Sequence, residues 1–438
     1  MSGVEIGLVS VLIMLVLVYA GMHVAVALTL LSYIGVWLIR DNPVVAGKLL
    51  GKAAFDSIAS YPFGVVPLFV LMGYLVSISD IGRDAFEVAN RLFRRVRGGL
   101  GMATVGANAV FAAITGISIA SAAVFTKVAV PEMTRYGYNP RFAVGVVAGS
   151  SVLGMLIPPS LLLILYAIIA EQSVGDMFTA GILPGIVLAA AYCLAIAAMA
   201  RWWPSFLGQG ARLAEIAPEP WTATLAKGLP IAALIVLVLG GIYGGVFTPT
   251  EAGAVGALGA LILGLARRRL TRGRFWQVLI ETGHVTAAIS FLIIAATMYS
   301  RMLALSGLSD FLGQWIAASG LGLYGLLAAY IVVALLLGCI LDSSSIMLIT
   351  VPLVLPAIKA LGGDPVWFGI VTTVAIEVGL LTPPFGISVF VIKATLDDKS
   401  VTLNDVFLGA LPFAAIMVAV IALLVAVPGI SLALLGRP

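Results

Sequence analysis

Long apolar runs dominate this chain, and polar positions are confined to short interruptions between them. A bilayer core about 30 Å thick needs roughly 20 apolar residues of helix to cross it. Windows of that kind predict spans near 4–20, 22–39, 61–79, 141–170, 180–200, 229–247, 251–266, 275–300, 366–394 and 405–428. Two further apolar stretches, 99–131 and 325–358, are each divided by a small polar cluster, ITGIS (Ile114–Ser118) and LDSSS (Leu341–Ser345). At about 1.5 Å of rise per residue each half falls short of a full crossing. The pattern therefore predicts two re-entrant hairpins whose polar tips sit inside the protein; two ordinary spans joined by a tight turn are the alternative. Segments 40–60 and 80–98 mix charge with apolar residues, as in FEVANRLFRRV, and predict helices lying in the interface or arms bracing the bundle.

Composition agrees. Of 438 residues, 61% are hydrophobic and 10% charged, with a mean hydropathy of +1.15, whereas soluble domains carry about 25% charged residues. The fold class is an all-α polytopic membrane protein, its surroundings the lipid bilayer. The net charge of +4 reflects loop residues and implies no nucleic-acid partner. Cys193 and Cys339 lie in apolar runs and read as core residues, not a disulfide. His23 and His284 are too far apart in sequence to suggest a metal cluster. The first apolar segment lacks a basic start and a cleavage site, so it reads as a retained span. With the amino terminus outside, 17 of the Lys and Arg residues fall on the inner side and 6 on the outer, with Lys127 in the first hairpin. That bias predicts both termini on the outer face, anchored by the basic loop RRRLTRGR.

Two proline pairs interrupt predicted spans, in GMLIPPSLL and GLLTPPFGI. Proline lacks the backbone N–H and clashes with the preceding helical turn. Non-helical backbone at membrane depth survives only where it lines a cavity or is buried in protein. The two pairs are copies. Shifted by 225 residues, Pro131–Pro159 falls on Pro356–Pro384 without a gap, with 8 of 29 positions identical, including four prolines and two glycines. Ser118 falls on Ser343 at the same offset. Five crossings separate corresponding points, an odd number, so the second unit is inverted. Inverted repeats with two broken helices are the architecture of secondary transporters, with the site at the repeat interface.

Freed carbonyls and hydroxyls suit a hard cation such as Na⁺, with at least two sites. The first half offers Thr115, Gly116 and Ser118 at the tip, and Gly149, Gly154 and Pro158 near the break, with Ser150 and Ser151 toward a substrate. The second half offers Asp342, Ser343, Ser344 and Ser345 at the tip, and Gly379, Thr382 and Pro383 at the break. Ser345, Glu377, Thr382 and Gly386 join the substrate candidates. Asp342 and Glu377 are the carboxylates placed deepest in apolar sequence, and an intramembrane acid is a functional candidate. Asp342 reads as a cation ligand in preference to a helix cap. Glu377 is open between a proton-linked group, a part of the substrate cavity and a partner for a basic residue. Thr248–Glu251 reads as a capping box. No phosphate-binding GxxxxGK[ST] loop occurs, which argues against an ATP-driven pump. An intramembrane enzyme using Asp342 and Glu377 as an acid–base pair is the distant alternative.

These motifs carry a resemblance. GIYGGVFTPTEAGAVGALGAL (Gly241–Leu261), SVLGMLIPPSLLLILYAIIAEQSVGDMFTAGILPG (Ser151–Gly185), GCILDSSSIMLITVPLVLPAIKALGGDPVWFG (Gly338–Gly369) and GLLTPPFGISVFVIKA (Gly379–Ala394) resemble the large membrane subunit of the tripartite ATP-independent periplasmic (TRAP) transporters. The resemblance runs essentially end to end. It implies Na⁺-driven uptake of an organic acid such as a C4-dicarboxylate, a sialic acid or a sugar acid. It implies two partners, a periplasmic substrate-binding protein and a small four-helix membrane subunit, here expected as a separate chain. It also implies an elevator-type movement in the bacterial inner membrane. On that pattern 1–98 holds first-repeat scaffold spans and arms, and 99–200 the first transport part. The connecting loop and second scaffold occupy 201–324, and the second transport part 325–438. Na⁺ ligation carries over to Ser118 with Gly154–Pro158, and to Asp342–Ser345 with Gly379–Pro383. The sequence departs from the family at the TGIS tip and at Glu377, where a neutral polar residue is expected.

Overall fold

The computed structural model describes residues 1–59, 61–208, 220–396, 398 and 400–436. Of the basic residues in the charge count, Arg212, Lys399 and Arg437 lie outside these, as does the middle of the 201–228 connection. Among the described residues the protein is helical throughout, with no strand.

The first repeat runs α1 (Gly3–Tyr19), α2 (Val24–Arg40), α3 (Pro43–Ala59), α4 (Val65–Ile78), α5 (Ile81–Phe93), α6 (Gly99–Thr115) and α7 (Ser118–Arg135). It continues with α8 (Pro140–Leu156), α9 (Leu161–Ala170) and α10 (Val174–Trp202). The second runs α11 (Trp221–Tyr243), α12 (Pro249–Ala266), α13 (Arg272–Ser306), α14 (Leu308–Ser319), α15 (Gly322–Gly338), α16 (Ser343–Ala360), α17 (Pro365–Gly379), α18 (Ile387–Thr395) and α19 (Leu403–Ala426). Among the described residues six helices are long and apolar enough to cross a membrane, or up to eight if each bent pair is one span. Segment 301–324, unassigned from sequence, holds α14.

The repeat extends over nearly the whole chain. At the offset of 225, α7 superposes in sequence on α16 end for end, Ser118–Arg135 on Ser343–Ala360, and α2 on α12. One element differs. The first repeat has α3, a 3₁₀ turn at Tyr61–Gly64 and then α4, where the second has a continuous helix of 35 residues. The turn carries Pro62 and Gly64, and the matching stretch VTAAI carries neither breaker. Segments 40–60 and 80–98 hold the helices α3 and α5, and α5 turns 67° away from α4.

The repeats interlock reciprocally. The scaffold helix α2 packs on α13 while its counterpart α12 packs on α4. The hairpin arm α7 packs on α18 while its counterpart α16 packs on α9; the closing helix α19 packs on α8 while α10 packs on α17. Reciprocal contacts of this kind are what a two-fold relation between equivalent units produces. Small residues allow the closest crossings. A Cβ on Gly145 of α8 would stand 2.0 Å from the Gly409 carbonyl oxygen of α19, and one on Gly379 of α17 would stand 2.4 Å from Gly338 Cα of α15.

Loops counted on the inner side from sequence meet at one end of the bundle. Arg269 pairs with Asp80 at 2.9 Å, Lys227 with Glu87 at 2.6 Å, and Arg267 with Asp84. Arg301, counted on the outer side, pairs elsewhere, with Asp56 at 3.1 Å.

Candidate functional site

Each hairpin closes against the broken helix of its own repeat. In the first, α6 ends because Gly116 takes a left-handed φ of 65°; Ile117 is extended and α7 starts at Ser118. The Gly116 carbonyl accepts a hydrogen bond from Leu161 N at 3.1 Å, just past Pro158–Pro159. In the second, Cys339 O at the turn accepts from Phe385 N at 3.1 Å, just past Pro383–Pro384. Both breaks thus use the same exchange: an amide beyond the proline pair is satisfied by a carbonyl of the tip. Both Pro–Pro bonds are cis. The chain between α8 and α9 bends by 41°. Ser160 bridges that break, its Oγ donating to Met155 O at 2.5 Å and accepting from Leu163 N at 3.3 Å. Sequence reasoning passed over Ser160, although a hydroxyl directly after PP at a helix start signals an N-cap.

The two breaks differ in setting. Pro158 and Pro159 are buried, but Pro383, Pro384 and Phe385 are exposed. Of the two expected settings, buried in protein or lining a cavity, the first break has the buried one, and the second is exposed on this chain.

The tips of both hairpins converge on Glu377. This residue is fully buried in α17, and its Oε1 accepts a hydrogen bond from Ser343 Oγ at 2.7 Å. Ser118 Oγ lies beside the same carboxylate, yet neither it nor Glu377 Oε2 closes a hydrogen bond. Ser118 and Ser343 are repeat equivalents, each the first residue of its helix. Tyr192 of α10 also faces the carboxylate, its hydroxyl buried and unpartnered. Asp342 is the N-cap of α16, with Oδ2 accepting from Ser345 N at 3.1 Å and Oδ1 from Ser345 Oγ at 2.5 Å. The helix cap, the less favoured of the two sequence readings of Asp342, is what the structure contains. Ile117 stands at the equivalent position of the first repeat, so α7 begins with no side-chain cap. Ser344 is half-buried beside the cap.

The other candidates make contacts of their own. Thr115 Oγ1 donates to Phe111 O at 2.9 Å and Ser151 Oγ to Ala148 O at 2.8 Å, both within their own helices. Ser150 Oγ accepts from Asn108 Nδ2 at 2.7 Å, and Asn108 Oδ1 accepts from Ser121 Oγ at 2.6 Å, a buried network joining α6, α7 and α8. Asn108 was also missed; an amide inside an apolar hairpin helix is its signal. Gly149 is a contact surface, where a Cβ would meet Phe413 at 2.4 Å, and Gly379 serves the crossing with Gly338. Gly154 lies against Ile117 and Ser118 N, so the broken helix touches the first tip there. Thr382 Oγ1 donates to Gly379 O at 2.9 Å and lies 3.1 Å from Cys339 Sγ. Gly386 opens α18 with φ 48°. Thr248 and Glu251 form the expected capping box, Thr248 N donating to Glu251 Oε2 at 2.8 Å.

The first hairpin tip is buried as expected, whereas the second is exposed at Ile340 and Asp342. A multi-pass membrane protein whose two repeats interlock around broken helices and hairpin tips has the architecture of a secondary transporter. The family model for the tripartite ATP-independent periplasmic transporter, DctM component, matches residues 11–430, and the chain belongs to that family. It is 32% identical over 388 residues to the C4-dicarboxylate TRAP transporter large permease protein DctM of Pseudomonas aeruginosa, covering 88% of this chain and 89% of that one. It is 29% identical over 421 residues to the sialic acid TRAP transporter large permease protein SiaM of Vibrio cholerae, covering 95% and 96%. It also shares its fold with the crystal structure of the Alcanivorax borkumensis YdaH transporter, at a TM-score of 0.62 and 14% identity, over 89% of this chain and 90% of that one.

Proposed function

We propose that this chain is the membrane-spanning permease of an uptake system for an organic acid anion, driven by Na⁺. It works in the bacterial inner membrane with a periplasmic binding protein and a separate small membrane subunit, both termini facing the periplasm. The carrying observation is the convergence of Ser118 and Ser343, equivalent residues of the two repeats, at one buried point beside the broken helices. Relatives named for C4-dicarboxylates and for sialic acid support the organic acid class.

Na⁺ binds at the tips. Ser118 Oγ, buried with no partner, has a lone pair to give, and the carbonyls at Gly116 and Cys339 each keep one beyond their single amide partner. Because each repeat packs its hairpin arm on the other's broken helix, hairpins and broken helices move together as one body past α2, α4, α12 and α13. That is an elevator step. A stand-alone Na⁺/dicarboxylate symporter is the competing reading. Reconstitution of the chain in vesicles, with and without its binding protein and small subunit, separates them. Uptake of labelled succinate or sialic acid is expected with all three components and an inward Na⁺ gradient; uptake by the chain alone refutes the tripartite assignment, and uptake indifferent to Na⁺ refutes the coupling.

A further inference from the structure

We propose that the C-terminal end of α5 is a binding site for an anionic phospholipid, whose phosphate is held by Arg91, Arg94, Arg95 and Arg97. The charges of α5 divide along its length. Around its first half every acid is matched: Asp80 pairs with Arg269, Asp84 with Arg267, and Glu87 with both Arg83 and Lys227. Beyond Glu87 no acid follows before α6, while RLFRRVRG (Arg91–Gly98) brings four arginines within seven residues. None of the four makes an ion pair among the described residues. By the charge count this is the inner face, where basic clusters beside membrane helices take up anionic headgroups.

Three tryptophans set the cluster at headgroup level. Trp221, the first residue of α11, is 60% exposed, and the Arg91 guanidinium carbon lies 4.1 Å from its ring centre. Trp202 and Trp203 at the end of α10 are both exposed. The turn after the arginines packs on that same helix, since a Cβ on Gly98 would lie 3.0 Å from Ile196 and 3.5 Å from Ala200. Indole rings gather where lipid meets water, so this patch suits a lipid and not a ligand approaching from bulk solution.

The cluster also holds unmet donors. Arg91 Nε and Nη1 are buried and make no hydrogen bond, and a buried donor without an acceptor is disfavoured. A phosphate diester offers two non-bridging oxygens that share one negative charge and match the guanidinium fork. Trp221 covers one face of that guanidinium and is itself largely exposed, so its displacement opens the fork while the ring stays at the interface. Marking the inner face needs positive charge alone; holding a phosphate needs the fork. The site requires only that the chain lies in a membrane, so it stands or falls independently of Na⁺ coupling.

The test is tryptophan fluorescence of the full chain in phosphatidylcholine vesicles with increasing brominated phosphatidylglycerol, the bromine quenching rings beside a bound lipid. Affinity for phosphatidylglycerol relative to phosphatidylcholine is expected to fall about 30-fold in Arg94→Gln/Arg95→Gln, which removes two basic side chains of ordinary strength beside an anionic surface. It should stay unchanged in Lys48→Gln/Lys52→Gln, which removes the same charge from exposed positions of α3. Arg91→Lys keeps the charge and loses the fork, and a fall of about tenfold is expected for one charge-assisted hydrogen bond. Wild-type affinity in the double arginine variant overturns the proposal, as does an equal fall in the lysine pair, which makes the effect diffuse charge. Wild-type affinity in Arg91→Lys overturns the built site in favour of a general basic anchor. Release of the brominated lipid by inorganic phosphate, beyond that by NaCl of equal ionic strength, assigns the site to a free anion and overturns the lipid. Should the double arginine variant fail to fold, Arg97→Gln takes its place, with a fall of about fivefold expected and an unchanged affinity overturning the proposal.

Discussion

Replacing Gly145 with Ala tests the interlock between repeats directly. Gly145 lies on α8 of the first repeat, against Gly409 on α19 of the second. The added Cβ would stand 2.0 Å from the Gly409 carbonyl oxygen, where ordinary contact begins at 3.4 Å. The two helices would have to separate by about 1.4 Å along that line. The obstructing atom is backbone within a helix, so no side chain can swing aside. Overpacking a well-packed interior costs about 1–3 kcal/mol, and an immovable obstacle places this substitution at the upper end. At the unfolding entropy per residue of globular chains, a loss near 3 kcal/mol lowers Tm by about 3 °C in a chain of this size. The assay is thermal unfolding of the purified chain in detergent, with Gly283→Ala as control. Gly283 lies inside α13 with nothing within 4 Å of a new Cβ, and Ala there gains helix propensity worth about 0.5–1 kcal/mol. Gly145→Ala melting at or above wild type, with the control behaving as expected, would refute the close crossing of α8 and α19.

Asn108→Ala removes the amide joining Ser121 to Ser150 and strands a buried hydroxyl; a loss of about 1–3 kcal/mol is expected from that group, read as a lowered unfolding midpoint, and an unchanged midpoint contradicts the network. Asp342→Ala removes the N-cap of α16, worth about 1 kcal/mol, whereas Glu251→Ala removes only the N3 partner of a capping box that Thr248 still caps, so it should cost less stability. The Na⁺ dependence of uptake should weaken far more for Asp342→Ala than for Glu251→Ala. Equal Na⁺ dependence would leave Asp342 as a cap with no ion to hold. A reporter fused after Arg272 should register in the cytoplasm, and a periplasmic signal would reverse the orientation.

Much of this protein was legible from patterning. Apolar runs separated by charge marked the helices, because a helix crossing lipid must satisfy its own backbone and present apolar side chains. A proline pair cannot be continued through by a helix, so both breaks were visible, and the 225-residue offset exposed the repeat before any helix was placed. Thr248–Glu251 was read correctly because a capping box is entirely local.

Contacts between residues far apart in sequence were decided elsewhere. Nothing in the string says that Ser118 and Ser343 reach one carboxylate, or that Pro158 is buried while Pro383 is exposed. The depth of Asp342 in apolar sequence was visible, and its bond to Ser345, formed only once α16 takes its helical turn, was not. Sequence alone determined where the backbone can and cannot be helical, since that depends on neighbours a few positions away. Tertiary structure decided which polar atoms found partners, since that depends on how two copies of one pattern pack across each other.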